Sequence, residues 1–147
     1  MRIVKTFLAA MSLVVGLVTA SFAEGHVHQL ALQISDNNPQ KMNTVLNVAA
    51  NVARYYSDKG EEVEIRVVAF NAGLHMLRAD TSPVVDRLKS FEQSMPNVTF
   101  AACDNTLAAM TKKEGKEPPL VTVAEHVPAG VVDLIRLSEA GWTIVRP

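Results

Sequence analysis

Cys103 is the only cysteine in the chain, and it lies where an apolar run, Val98 to Ala102, gives way to Asp104-Asn105-Thr106. A thiol that ends a strand and opens a helix can feel the partial positive charge of the helix N-terminus, which favours the nucleophilic thiolate. Asp104 works against this, since a neighbouring carboxylate favours the neutral thiol. His75 and His126 each follow or close another apolar run and are candidate proton partners for Cys103. Asn37, Asn71, Asp104, Asn105 and Thr106 occupy equivalent junctions and are candidate binding groups. The same position also suits a buried, inert cysteine at the end of a core strand, the commonest fate of an unpaired thiol. An inter-subunit disulfide is a third use.

A lone cysteine excludes an intramolecular disulfide, a Cys-x-x-Cys redox pair and Cys-pair zinc sites. There is no GxGxxG or phosphate loop to cradle a nucleotide, and no serine sits on a nucleophile elbow. The stretch Asp104 to Ala109 directly after Cys103 offers no cation, which a rhodanese-type loop would require. No cofactor is expected.

The elements that must position these residues are legible from periodicity. His28 to Ile34 alternates as a strand, and Asn38-Pro39 then caps and opens a helix. That helix carries Met42, Val45, Leu46, Ala49, Val52, Ala53 and Tyr56 on one face and stops at Gly60. Glu62 to Phe70 predicts a second strand, continuously apolar at its end as if buried on both faces. Asn71 to His75 reads as a turn. Ser82-Pro83 predicts a second helix start, with Val84, Leu88, Phe91 and Met95 inward and Pro96 as its stop. Val98 to Ala102 predicts a third strand and Thr106 to Lys113 a short helix.

Lys112 to Glu117 reads as a solvated charged stretch leading into a proline-bearing loop. Leu120 to Val127 predicts a fourth strand, and Pro128 to Ala140 a helix with Val131, Leu134, Ile135 and Leu137 inward. Trp142 to Val145 predicts a last strand, with Trp142 as a packing anchor. Four alternations of strand and helix require crossovers and predict a mainly parallel sheet of about five strands. The class is α/β, flavodoxin-like in style, with helices on both faces. In such a sheet the ligand crevice lies beyond the C-terminal strand ends, where all the residues named above gather.

The N-terminus reads differently from the rest. A basic start, an apolar run from Phe7 to Val18 and Ser21-Phe22-Ala23 form the pattern of a cleavable signal peptide over 1–23. The apolar stretch falls short of the roughly 18–20 residues of a spanning helix. No cysteine lies near the cleavage site to be lipidated. Residues 24–147 then form one domain, periplasmic or secreted, with no stable membrane insertion.

The whole chain has 147 residues, 48% hydrophobic and 20% charged, which is too apolar for a disordered segment. Loss of Arg2 and Lys5 leaves 12 basic against 15 acidic residues, a net charge of -3. That balance gives no electrostatic basis for nucleic acid as partner. Cleavage after Ala23 would expose Glu24-Gly25-His26. A terminal amine, two peptide nitrogens and a third-position imidazole suit square-planar Cu(II), with His28 above the plane.

The stretch Phe100-Ala101-Ala102-Cys103-Asp104-Asn105-Thr106-Leu107 resembles the cysteine loop of the DsrE/DsrF-like family of sulfur-relay proteins. Val127 to Val132, running on to Leu137 and Gly141-Trp142, is similar to that family's C-terminal helix and strand. Val67 to Arg78 with Thr81-Ser82-Pro83 is similar to its second strand and the loop after it. The resemblance covers essentially the whole of 24–147.

It implies a small α/β fold assembled as a homo-oligomer, a trimer or hexamer, in which Cys103 carries sulfur as a persulfide between a donor and an acceptor thiol. Asp104 and Asn71 depart from the family, standing where smaller residues are usual, and the export signal departs from its cytoplasmic members. The expected function is an exported sulfur carrier. The alternative is a non-catalytic homo-oligomeric module that binds a small ligand or copper, with Cys103 structural.

Overall fold

The computed structural model describes residues 26–147. Strand β1 is His28–Ile34, followed by helix α1, Pro39–Lys59. Strand β2, Val63–Ala69, leads into a 3-10 helix, Asn71–Leu77, and then helix α2, Val85–Ser94. Strand β3, Val98–Cys103, passes directly into helix α3, Asp104–Glu114. Strand β4, Ala124–Val127, helix α4, Gly130–Glu139, and strand β5, Thr143–Val145, complete the chain.

The five strands form one all-parallel sheet in the order β4-β3-β2-β1-β5. This is the α/β fold that the alternation requires. Three successive crossovers step the same way across the sheet, from β1 to β4, and right-handedness sends their helices to one face. The last crossover returns past β1 and puts α4 on the other face. The two cores follow that division. Leu32, Met42, Leu46, Ile65, Val67, Leu88, Phe91, Phe100 and Leu107 pack on the α1–α3 face. Ala31, Val68, Phe70, Ala101, Cys103, Val127 and Leu134 pack on the α4 face, flanked by Leu137, Trp142 and Ile144. Alternate residues of each strand therefore serve opposite cores, as a period of two dictates.

Helix α1 begins and ends as the sequence predicts. Asn38 Oδ1 accepts from the N–H of Gln40 at 2.8 Å and of Lys41 at 3.2 Å, Pro39 takes the first turn, and Gly60 closes the helix. Three other expectations are corrected. Ser82 does not cap α2: its buried hydroxyl donates to the Met76 carbonyl at 2.6 Å, and the helix starts at Val85. The Ser82 oxygen accepts from the Val84 N–H at 3.3 Å, before the helix begins, and so does not reach the free N–H groups of the first turn.

The fourth strand is shorter than expected, because Leu120 pairs antiparallel with Arg78 and Val121 donates to the Leu77 carbonyl. Those bonds hold the segment against the end of the 3-10 helix and leave only Ala124–Val127 for the sheet. On α4, Val131 and Ile135 are each 52% exposed, and Leu134 alone of the four named apolar residues is buried. A single helix on a face rests one narrow stripe on the sheet, and these two residues lie off it.

Candidate functional site

The site follows from the topology. Strand β3 hands its chain to a helix on one face, and its neighbour β4 hands its chain to a helix on the other. Adjacent strands whose exits part in this way open a crevice at their carboxyl ends. Cys103 is the last residue of β3 and stands at that point, 5% exposed.

Two helix N-termini converge there. The Cys103 side chain makes no regular capping bond to α3. Burial pushes the thiol up, but the nearby Thr106 hydroxyl and the N–H groups of Gly130, Thr106 and Asn105 favour the thiolate, outweigh burial and bring the thiol below its ordinary value. Unpaired N–H groups at helix starts are the natural partners of an anion. Here one set comes from α3 and one from α4.

Thr106 is aimed by Asn71. The Asn71 N–H donates to Thr106 Oγ1 at 2.9 Å, from a residue with φ of +49°. Asparagine enters this left-handed region more readily than other side chains, which fits the sharp exit from β2. Gly130 is fixed by packing: a Cβ there would sit 2.9 Å from Phe70 Cβ. Gly73 is fixed more tightly, since a Cβ would lie 2.6 Å from the Ile34 carbonyl carbon. No larger residue fits at either position without backbone movement.

Cys103 lines a cleft of about 520 Å³. Phe70, Ala72, Ala109, Met110, Ala129 and Val131 give it apolar walls, and Asn71, Asn105 and Thr106 line its polar end. Lys113 lies at its rim. Of the binding candidates, Asn71, Asn105 and Thr106 come together with Cys103. Asn37 is exposed in the turn after β1 and does not line the cleft.

Asp104 is turned to His126, whose Nδ1 lies 2.6 Å from its Oδ1. Neither residue lines the cleft. His75 Nε2 lies 3.1 Å from the Thr81 carbonyl oxygen, which holds its ring at the loop before α2. The two histidines are thus engaged elsewhere, and the donors at sulfur are backbone and hydroxyl groups. Sequence reasoning missed Gly130 and Lys113. The repeat of Thr106, Met110 and Lys113 at helical spacing after Cys103 is the signal that pointed to the second.

The signal-peptide reading of residues 1–23 and the Glu24 and Gly25 nitrogens of the copper site lie outside the described residues. His26 and His28 are described, with ring centroids 5.0 Å apart. The His28 ring stacks on Tyr56 at 3.9 Å and its Nε2 lies 2.8 Å from Glu61 Oε2, so it is already engaged. Among the described residues no group of three or more histidine, cysteine or acidic side chains could hold a metal. Among them too, no helix is long and apolar enough to cross a membrane.

The fold has a solved counterpart. The chain is similar to a protein of unknown function, MTH1491 from Methanobacterium thermoautotrophicum, with a TM-score of 0.70 and 26% identity over 82% of this chain and 99% of that one. No family model and no curated protein matches the sequence.

Proposed function

We propose that this protein is an exported sulfur carrier of DsrE-like type, working as a homo-oligomer and holding sulfur as a persulfide on Cys103. The observation that carries the reading is a single thiol lining a cleft where the N-termini of two helices meet. The resemblance of Phe100 to Leu107 to a sulfur-relay cysteine loop supports it.

In the loading step the Cys103 thiolate attacks the outer sulfur of a donor persulfide, R–S–SH. A sulfur–sulfur bond forms to Cys103, the bond between the donor's two sulfurs breaks, and R–S⁻ leaves with the electron pair. The proton stays on the transferred sulfur, so Cys103–S–SH results with no net oxidation. An acceptor thiolate repeats the attack to unload it. The N–H groups of Asn105, Thr106 and Gly130 hold the thiolate before attack and receive it again after unloading.

Incubation with a persulfide donor followed by mass analysis tests this. One added sulfur on the wild type and none on Cys103→Ser is the expected result. A folded protein that takes up none overturns the reading.

The second reading is a binding module in which Cys103 is packed, and its 5% exposure favours that use. Cys103→Ser would then lose stability and leave ligand binding intact.

A further inference from the structure

The residues lining the cleft are unusual in their charge. Apart from Cys103, the one ionisable side chain among them is Lys113, and there is no carboxylate. The nearest acidic residues on α3 face elsewhere. Asp104 meets His126, and Glu114 Oε1 accepts from Arg78 Nη1 at 2.6 Å. Lys113 makes no ion pair among the described residues. It shares one face of α3 with Thr106, Ala109 and Met110, spaced as one side of a helix requires. Thr106 and Lys113 are seven residues apart, about 10 Å along the helix. Along α3 the cleft therefore has an end at Cys103 and Thr106, an apolar middle formed by Ala109 and Met110, and a cationic rim at Lys113.

We infer that the cleft takes a small organic persulfide bearing a carboxylate or similar anion within about 10 Å of its reactive sulfur, with Lys113 as the residue that selects for that charge. The inference rests on the sulfur-carrier reading and names its donor class. Lys113 touches the donor's anionic end and takes no part in the sulfur–sulfur exchange. Its effect is on recognition and encounter, which complementary charge governs.

The experiment compares the rates at which Cys103 reacts with three thiosulfonate reagents of one size, bearing a sulfonate, no charge or a trimethylammonium. At low salt the wild type should prefer the anionic to the cationic reagent about ten-fold more than free cysteine does. Lys113→Met should abolish that preference and Lys113→Glu should reverse it, each read as the ratio of a charged reagent's rate to the neutral reagent's rate on the same protein. Lys116→Met, outside the cleft, should behave as wild type.

A second arm offers acidic and neutral persulfides and measures added sulfur by mass. If Lys113→Met leaves the charge preference intact, or slows all three reagents alike, the donor assignment falls while sulfur uptake stands. If the preference responds to Lys113 but no sulfur is retained, the carrier reading falls and the donor assignment with it.

Discussion

The Asn71 N–H donates to Thr106 Oγ1 at 2.9 Å, which occupies an oxygen lone pair and leaves the hydroxyl proton for Cys103. Two elements remote in sequence, the exit of β2 and the first turn of α3, are thereby joined through one hydroxyl at the sulfur. A hydroxyl is needed there as a relay, accepting on one side and donating on the other.

Thr106→Val keeps the shape and removes both roles. The Cys103 thiol should become less acidic, and its alkylation rate at pH 7 should fall about three- to ten-fold, the loss of one hydrogen bond to a charged group. Thr106→Ser should recover most of that rate. Equal rates in the three proteins would show that the hydroxyl does not act on the sulfur.

Gly130→Ala adds a methyl group against Phe70 and displaces the N–H that faces Cys103. Overpacking of this kind costs about 1–3 kcal/mol, readable by urea denaturation. Alkylation of the variant while it is still folded should also be slower. A stability loss with an unchanged rate would remove Gly130 from the site.

The pH dependence follows from the lowered thiol. The rate of alkylation should rise with pH and level off below the pH at which an ordinary thiol does. Stability follows the same shift. Between the folded and the higher unfolded value the unfolded chain holds the extra proton, so stability rises with pH through that window. The contribution is complete above the ordinary thiol value and lost as pH falls through the folded one. Cys103→Ala should lack it. His126→Ala should leave the inflection of the rate profile in place, because His126 serves Asp104 rather than the sulfur; a displaced inflection would restore His126 as a proton partner.

Arg78 ties the loop after the 3-10 helix to the end of α3 through Asp80 and Glu114. The guanidinium beside Asp80 lowers its carboxyl to about 2 from 3.8. A depressed carboxyl stabilises the fold above its unfolded value, and that stability fades as pH falls from about 4 through 2. Arg78→Met should lower the melting temperature at pH 7 and flatten its dependence on pH over that acid range. An unchanged acid limb would show that the pair does not contribute.

What the sequence made legible was local. Asn38-Pro39 wrote the start of α1 in adjacent residues, and the hydrophobic run ending at Cys103 placed the thiol at a strand-to-helix junction. What it did not make legible depends on which elements become neighbours. Strand order decides that β3 and β4 part at Cys103, and no residue of either strand encodes that order by itself. Gly130 reached the sulfur from 27 positions away, for a reason visible only beside Phe70. Val131 and Ile135 share the apolar pattern of a buried stripe, yet a lone helix on its face buries less of it. Lys113 looked like part of a solvated run because its neighbours on both sides are charged.

The groups that favour the Cys103 thiolate belong to helices on opposite faces of the sheet, so the acidity of its thiol is completed by closure of the whole fold. A peptide spanning β3 and α3 keeps the groups of Asn105 and Thr106 but lacks the Gly130 N–H and the Asn71 partner of Thr106, so its thiol would be lowered less. The unfolded chain carries an ordinary thiol. The sulfur of this protein thus acquires its full chemistry at the end of folding, and its reactivity is a chemical report that both helices have been seated.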